Sequence, residues 1–155
     1  MINKKYRDSS SFGKRMEYNI IGELLTEGLD VYTPLVDDHG VDAIIKKADG
    51  TFIELQIKAR SNDAKNTGTF ANINVDAQLN DNNNEKFYYI FRSEKLQKTW
   101  ILSFKEFIDN SRENKSGKNK GHRTIIFSSP NGRMKEKFDK FSERSFKMFL
   151  RNDAE

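Results

Sequence analysis

The chain has 155 residues, of which 32% are charged and 35% hydrophobic, with a net charge of +4 and no cysteine. That excludes a disulfide scaffold and any cysteine-based zinc centre, and an aromatic content of 12% is too high for a chain disordered throughout. One domain over residues 1–155 is expected, and the lack of cysteine suits a reducing cytoplasm. No apolar run approaches the roughly 20 residues of a membrane span, and the polar start "MINKKYRDSSSFGKR" does not read as a signal peptide.

In chain order, "SSSFGKRMEYNIIGELLTEG" reads as a helix with serine cap candidates and Gly28 as its stop. Met16, Ile20, Ile21, Leu24 and Leu25 recur at helical spacing, and Glu17 lies beside that stripe. "LDVYTPLV" (29–36) reads as a strand, with Pro34 marking an edge or an end. "GVDAIIKK" (40–47) and "TFIELQIKAR" (51–60) read as two strands joined across "ADG". A loop follows, then a short strand over "FANINV", with "DAQLNDNNNE" either a short helix or a loop. "KFYYIFRS" and "KTWILS" are further strands, and Ser103 with Glu106 predicts a capping box opening a short helix. "SRENKSGKNKG" has no apolar residue and reads as a loop, "RTIIFSS" as a strand. "RMKEKFDKFSERSFKMFL" reads as a final amphipathic helix, with Met134, Phe138, Phe141 and Phe149 on or near one face. The order predicts an α/β domain around one mixed sheet.

Charge is unevenly spread. Residues 1–15 carry five basic residues against one acid, residues 112–123 five against one, and residues 133–151 seven against three. Each segment can be plain solvated surface. Basic flanks around convergent acids also suit a metal-dependent enzyme acting on nucleic acid, the cations holding phosphates and the acids the metal.

The hairpin 40–60 carries the chemistry. Side chains alternate along a strand, so Glu54, Gln56 and Lys58 share one face, and Ile53, Leu55, Ile57 and Ala59 the other. A two-residue Asp49-Gly50 turn would pair Asp42 with Ile57 and send its carboxylate to the apolar side, which is costly. A three-residue loop, Ala48-Asp49-Gly50, pairs Lys47 with Thr51 and Asp42 with Gln56, placing Asp42 on the polar face. The three-residue loop is therefore predicted. Two acids, an amide and an amine on one face fit either a solvent-facing strand or a site for a hard cation such as Mg²⁺ or Mn²⁺.

"GKRMEYNIIGELLTEGLDVYTPLVDDHGVDAIIKKADGTFIELQIKAR", residues 13–60, resembles the opening of PD-(D/E)XK nucleases, most of all the archaeal Holliday-junction resolvase and Mrr-like restriction branches. The shared pattern is a helix bearing an early Glu, a strand, "GVDAII", a Gly turn and a strand ending in acid-x-Lys. The resemblance implies a restriction-endonuclease-like core, a central mixed β-sheet flanked by helices in α-β-β-β-α-β order. It implies Asp42 as a metal-binding Asp, Lys58 as the catalytic Lys, Glu17 as the first-helix Glu, and the Ile57 carbonyl as a further metal ligand. Gln56 stands where that family has Asp or Glu, and Glu54 on the same face could restore charge. The implied activity is Mg²⁺- or Mn²⁺-dependent hydrolysis of DNA phosphodiester bonds, in repair, recombination or defence, by a possible homodimer. The alternatives are an inactive nucleic-acid-binding module of the same fold and an RNA-processing nuclease. Lys14, Arg15, Arg60, Lys118, Lys120 and Arg123 are the candidate backbone-gripping cations. Asp37 and Asp38 could add ligands, while His39 and His122 read as turn and loop histidines. Tyr88, Tyr89, Phe91 and Trp100 read as packing residues.

Overall fold

The computed structural model describes residues 8–37 and 39–151; residues 1–7 of the basic arm and Asp38 lie outside them. Helix α1 spans Ser9–Thr26, and its cap is Asp8, whose side chain accepts the Ser11 N–H at 2.8 Å. Aspartate before the serines takes the cap because its carboxylate also favours the positive end of the helix. At the other end Gly28, at φ +86°, turns the chain left-handed. The Leu29 and Gly28 N–H groups then close onto the Leu24 and Leu25 carbonyls. Phe12, Ile20 and Leu24 form the buried stripe, whereas Leu25 is exposed.

Strands β1 (Asp30–Tyr32), β2 (Ala43–Lys46), β3 (Phe52–Arg60), β5 (Phe87–Ser93) and β6 (Lys98–Ser103) form a five-stranded mixed sheet in the order β1-β2-β3-β5-β6. Only β3 and β5 run parallel, and β1 and β6 are the edge strands, with Pro34 just beyond β1. The fold is thus α/β with a central mixed sheet and flanking helices. A second, three-stranded antiparallel sheet accompanies it, β4 (Thr69–Ile73), β8 (Arg123–Ile126) and β7 (Arg112–Glu113) in the order β4-β8-β7. Only one sheet is legible in the sequence, because β7 has two exposed residues and is held by backbone pairing alone.

The two faces of the large sheet bury different material. Ile53, Leu55, Ile57 and Ile90 pack with Ala43 and Ile45 beneath Ile20 and Leu24 of α1. Tyr89, Phe91, Trp100 and Leu102 pack on the other face against Phe70, Ile125 and Phe127 of the small sheet. Trp100 and Phe127 stack with ring centroids 4.2 Å apart, so these aromatics are core. The undecided "DAQLNDNNNE" contains both a short helix α2 (Asp76–Leu79) and a 3₁₀ turn at Asn84–Lys86. Helix α3 (Phe104–Asn110) opens with the expected capping box of Ser103 and Glu106.

The expected final helix is broken into a 3₁₀ turn at Glu136–Phe138, a short helix α4 (Asp139–Ser142) and a 3₁₀ helix at Phe146–Leu150. The break has a cause. Arg144 turns inward to fork onto Glu106 at 2.7 Å through both terminal nitrogens and onto the Ile101 carbonyl, and Ser145 then caps the next turn. Phe138, Phe141 and Phe149 are nonetheless buried. The basic loop is likewise more ordered than its composition suggests. Asn114 N–H donates to His122 O and Gly121 N–H to Asn114 O, making residues 112–123 a hairpin.

Candidate active site

The β2–β3 register is the one burial requires. Ala43 pairs with Leu55, Ile44 with Glu54 and Ile45 with Ile53, and Gly50 at φ +84° closes a loop in which Lys47 N–H bonds Thr51 O. This is the three-residue loop predicted above. At the start of β2 the chain is offset by one, since Asp42 N–H also reaches the Leu55 carbonyl, at 2.8 Å. Such an offset bends a strand and re-aims the side chain.

The re-aimed side chain is the centre of the site. Asp42 Oδ2 accepts the Ile57 N–H at 2.6 Å. Burial pushes the Asp42 carboxyl up to about 6, the Ile57 hydrogen bond and the Lys58 charge opposing it, and the nearby Glu17 and Asp37 carboxylates adding to the rise. A residue's N–H and C=O point to the same side of a strand, so the Ile57 carbonyl also faces the β2 side, beyond the last β2–β3 pair. Asp42 and this carbonyl are therefore neighbours.

Gln56 is 8% exposed, and its Oε1 is buried without a partner. Its Nε2 lies against Gly40, where a Cβ would come within 2.5 Å; Gly40 is at φ +71°, so glycine serves both backbone and packing there. Gln56, Lys58 and Arg60 line an open cleft of about 640 Å³ whose far wall is Ala71, Asn72 and Ile73 of β4 and Asp76, Ala77 and Gln78 of α2. Lys58 makes no hydrogen bond or ion pair among the described residues. Arg60 is half-buried, with Nε on the Thr69 carbonyl at 3.0 Å and its guanidinium over the Phe70 ring.

Glu17 is 19% exposed and ion-paired to Lys14 at 2.9 Å, within electrostatic reach of Asp42. Lys14 is thus drawn to the acids, and Arg15 is exposed on α1. Glu54 does not join Asp42: it opens into a separate recess with Asp81 and Lys86, and burial raises its carboxyl, Asp81 adding to the rise. Lys118 and Lys120 are exposed on the hairpin. Arg123, expected to grip phosphate, is instead a structural staple: its guanidinium donates to Ser111 Oγ, Ser111 O and Ile108 O, at 2.8 to 3.0 Å. Asp37 accepts the Gly40 N–H, His39 is exposed, and His122 has a buried, unpartnered Nδ1.

Among the described residues no three of His, Cys, Asp and Glu gather closely enough to hold a metal ion. The oxygen donors held next to each other are the Asp42 carboxylate and the Ile57 carbonyl; Gln56, the adjoining residue of β3, supplies an unpartnered amide oxygen, and Glu17 lies within electrostatic reach of Asp42. All are hard ligands, suited to Mg²⁺ or Mn²⁺, and a half-buried carboxylate is a group that a cation would satisfy. Gly40, Asn72 and Gln78 share the cleft without a sequence signal: each comes from a segment whose conformation, not composition, brings it there.

The structure resembles that of a bacterial homing endonuclease, I-Ssp6803I, at a TM-score of 0.52 and 17% identity over 85% of each chain. At that identity the likeness is one of fold. No protein-family model and no curated protein matches the sequence. No described helix is long and apolar enough to cross a membrane.

Proposed function

We propose that the chain is a metal-dependent endonuclease that hydrolyses phosphodiester bonds of DNA. The observation that carries this is the Asp42–Ile57 contact, which holds a half-buried carboxylate beside the Ile57 carbonyl, with Gln56 and Lys58, the latter unpaired among the described residues, at the flanking positions of the same strand. The fold shared with a protein described as a homing endonuclease and the resemblance of residues 13–60 to PD-(D/E)XK nucleases support the same reading. Asp42, Ile57 O and Gln56 Oε1 would hold Mg²⁺ or Mn²⁺, with Glu17 acting directly or through water. A bound ion would supply a water activated for attack and withdraw charge from the phosphate. Lys58 would orient the attacking water and offset the charge that builds on the phosphoryl oxygens. Water's oxygen adds to phosphorus and gives up a proton to solvent as the bond to one ester oxygen breaks, and that leaving oxygen takes up a proton from solvent. Arg60, in the cleft two residues beyond Lys58, holds an adjacent phosphate.

The test is cleavage of supercoiled plasmid, a four-way junction and a structured RNA by wild type and Lys58→Ala, with Mg²⁺ or Mn²⁺ and with EDTA. Metal-dependent cutting of DNA that the variant loses is the expected result. Cutting of RNA alone would redirect the reading to RNA processing. Gln56 favours a second reading, an inactive nucleic-acid-binding module, because a neutral amide replaces a charge that would otherwise anchor the cation. Absence of cutting together with absence of Mn²⁺ binding by calorimetry would establish that one.

A further inference from the structure

Gln78 has the most constrained amide of the cleft that the chemistry above leaves unused. It lies on α2, is 5% exposed, and lines the cleft whose other wall carries Lys58. Its Nε2 donates to the His39 carbonyl at 2.9 Å. A carbonyl only accepts, so this bond fixes which end of the amide is nitrogen. The other end, Oε1, has no hydrogen-bond partner among the described residues and, unlike Gln56 Oε1, is not sealed off. An amide nine-tenths buried, clamped by its donor end and open at its acceptor end, selects a ligand that donates.

We infer that Gln78 is a specificity-determining residue whose Oε1 accepts a hydrogen bond from the amino group of a nucleobase lodged in the cleft. The inference rests on the nuclease reading for the use of the cleft. The 6-amino group of adenine and the 4-amino group of cytosine are the donors that base edges offer in the major groove. Thymine and guanine present carbonyl oxygens there, which repel Oε1. Asn72 and Asn74 on the same wall add further amide groups, but their oxygens are engaged by Asn114 and Asp76. Asn80 Oδ1 is also without a partner among the described residues, but that side chain is exposed, and Gln56 Oε1 is sealed off; Gln78 is the buried amide of the cleft with an open acceptor held in place.

The experiment is binding selection from a randomised duplex library in EDTA, which needs no catalysis, by wild type, Gln78→Ala and Gln78→Glu. Wild type should enrich adenine or cytosine at one position. Gln78→Ala should erase that enrichment while total DNA retained falls less than tenfold. Gln78→Glu keeps an acceptor but loses the donor that clamps the side chain to His39 O, so it should retain less of the preference than wild type and more than Gln78→Ala. In a selected site with adenine at that position, a purine analogue lacking the 6-amino group should weaken wild-type binding by roughly 5- to 100-fold and leave Gln78→Ala unaffected; for cytosine, a pyrimidine analogue lacking the 4-amino group serves. No enrichment of an amino base, or an analogue effect equal in wild type and Gln78→Ala, overturns the inference. If Gln78→Ala does not fold, Gln78→Met, which keeps the side chain's length without an acceptor, takes its place, and an undiminished preference in it overturns the inference. Selective binding without metal-dependent cutting would sink the nuclease reading and leave this one standing; no DNA retained by wild type would sink both.

Discussion

Asp42 and Ile57 are 15 residues apart in sequence, yet the carboxylate of one accepts the backbone N–H of the other at 2.6 Å. A strand that ended cleanly would give that N–H a carbonyl. Here it receives a carboxylate that burial raises from an ordinary 3.8 to about 6, the hydrogen bond from Ile57 opposing that rise.

That rise fixes a stability profile. Below about pH 4 Asp42 is protonated in both folded and unfolded chains and costs nothing. Between 4 and 6 the folded chain keeps its proton longer, so stability falls as pH rises. Above 6 the full cost remains, roughly 2–3 kcal/mol. Asp42→Asn keeps an acceptor for Ile57 and removes the charge. It should melt a few degrees above wild type at pH 8, show little gain at pH 4, and be inactive. Mn²⁺ should raise the melting temperature of wild type and not of the variant. Melting curves at the two pH values decide it: an equal shift at both would mean that burial of the charge is not the cause.

Gly40 should matter more than its position in a turn suggests. Gly28→Ala meets only the backbone strain of φ +86°, since no atom lies within 4 Å of its new Cβ, and should cost about 1 kcal/mol. Gly40→Ala adds collision with Gln56 Nε2 to φ +71° and should cost roughly 1–2 kcal/mol more. Gly40→Ala alone should also weaken Mn²⁺ binding, because the displaced amide carries Oε1. Urea unfolding and calorimetry on the two variants provide the comparison; equal losses would mean that the Gln56 amide yields to the new methyl at no cost.

Much of this site was legible because burial left one choice. A two-residue turn would have sent Asp42 into the side held by Ala43, Leu55 and Ile57, so the register followed from the alternation of apolar residues in β3. What alternation cannot report is where a side chain goes once its strand ends. Glu54 shares the face of Gln56 but faces Asp81 across a different recess. Gln78 reaches His39 across 39 residues through the path of β4 and α2. The C-terminal segment has a helical pattern of phenylalanines, yet the fork from Arg144 to Glu106 breaks it, and a long-range ion pair leaves no periodic trace.

That fork gives a prediction of opposite sign. Hydrogen bonds from Arg144 and from the Ser103 backbone bring the Glu106 carboxyl down to about 2, against a weaker opposing push from burial. A lowered carboxyl stabilises the fold above its unfolded value of 4.5, and the stabilisation is lost as pH falls from there towards 2. The two side chains are about a third exposed, so solvent screens the pair. Arg144→Ala should therefore cost on the order of 1–2 kcal/mol at pH 7, the Ile101 hydrogen bond included, and less at pH 2. Arg144→Lys should recover less than half, because an ammonium cannot make the fork. Denaturation at the two pH values measures this; a loss independent of pH would assign Arg144 to packing.

The basic hairpin separates cations that bind from cations that build. Lys118 and Lys120 are exposed and without partners among the described residues, on a hairpin whose Asn114 side chain bonds Asn72 of the cleft wall at 2.9 Å. They are thus carried on a support fixed to the cleft. Arg123 is spent on Ser111 and Ile108. Replacing both lysines by alanine should leave the melting temperature unchanged and weaken duplex binding. The dependence of log affinity on log salt should become shallower by just under 2, about 0.9 for each phosphate no longer neutralised. Arg123→Ala should do the reverse, lowering stability by roughly 1–3 kcal/mol through unsatisfied carbonyls and broken hydrogen bonds, with the salt slope intact. Fluorescence anisotropy of a labelled duplex across a salt series, beside melting curves, distinguishes the two. An unchanged slope in the lysine variant would mean that the DNA path avoids this hairpin and would turn attention to α1, where Lys14 and Arg15 are exposed cations.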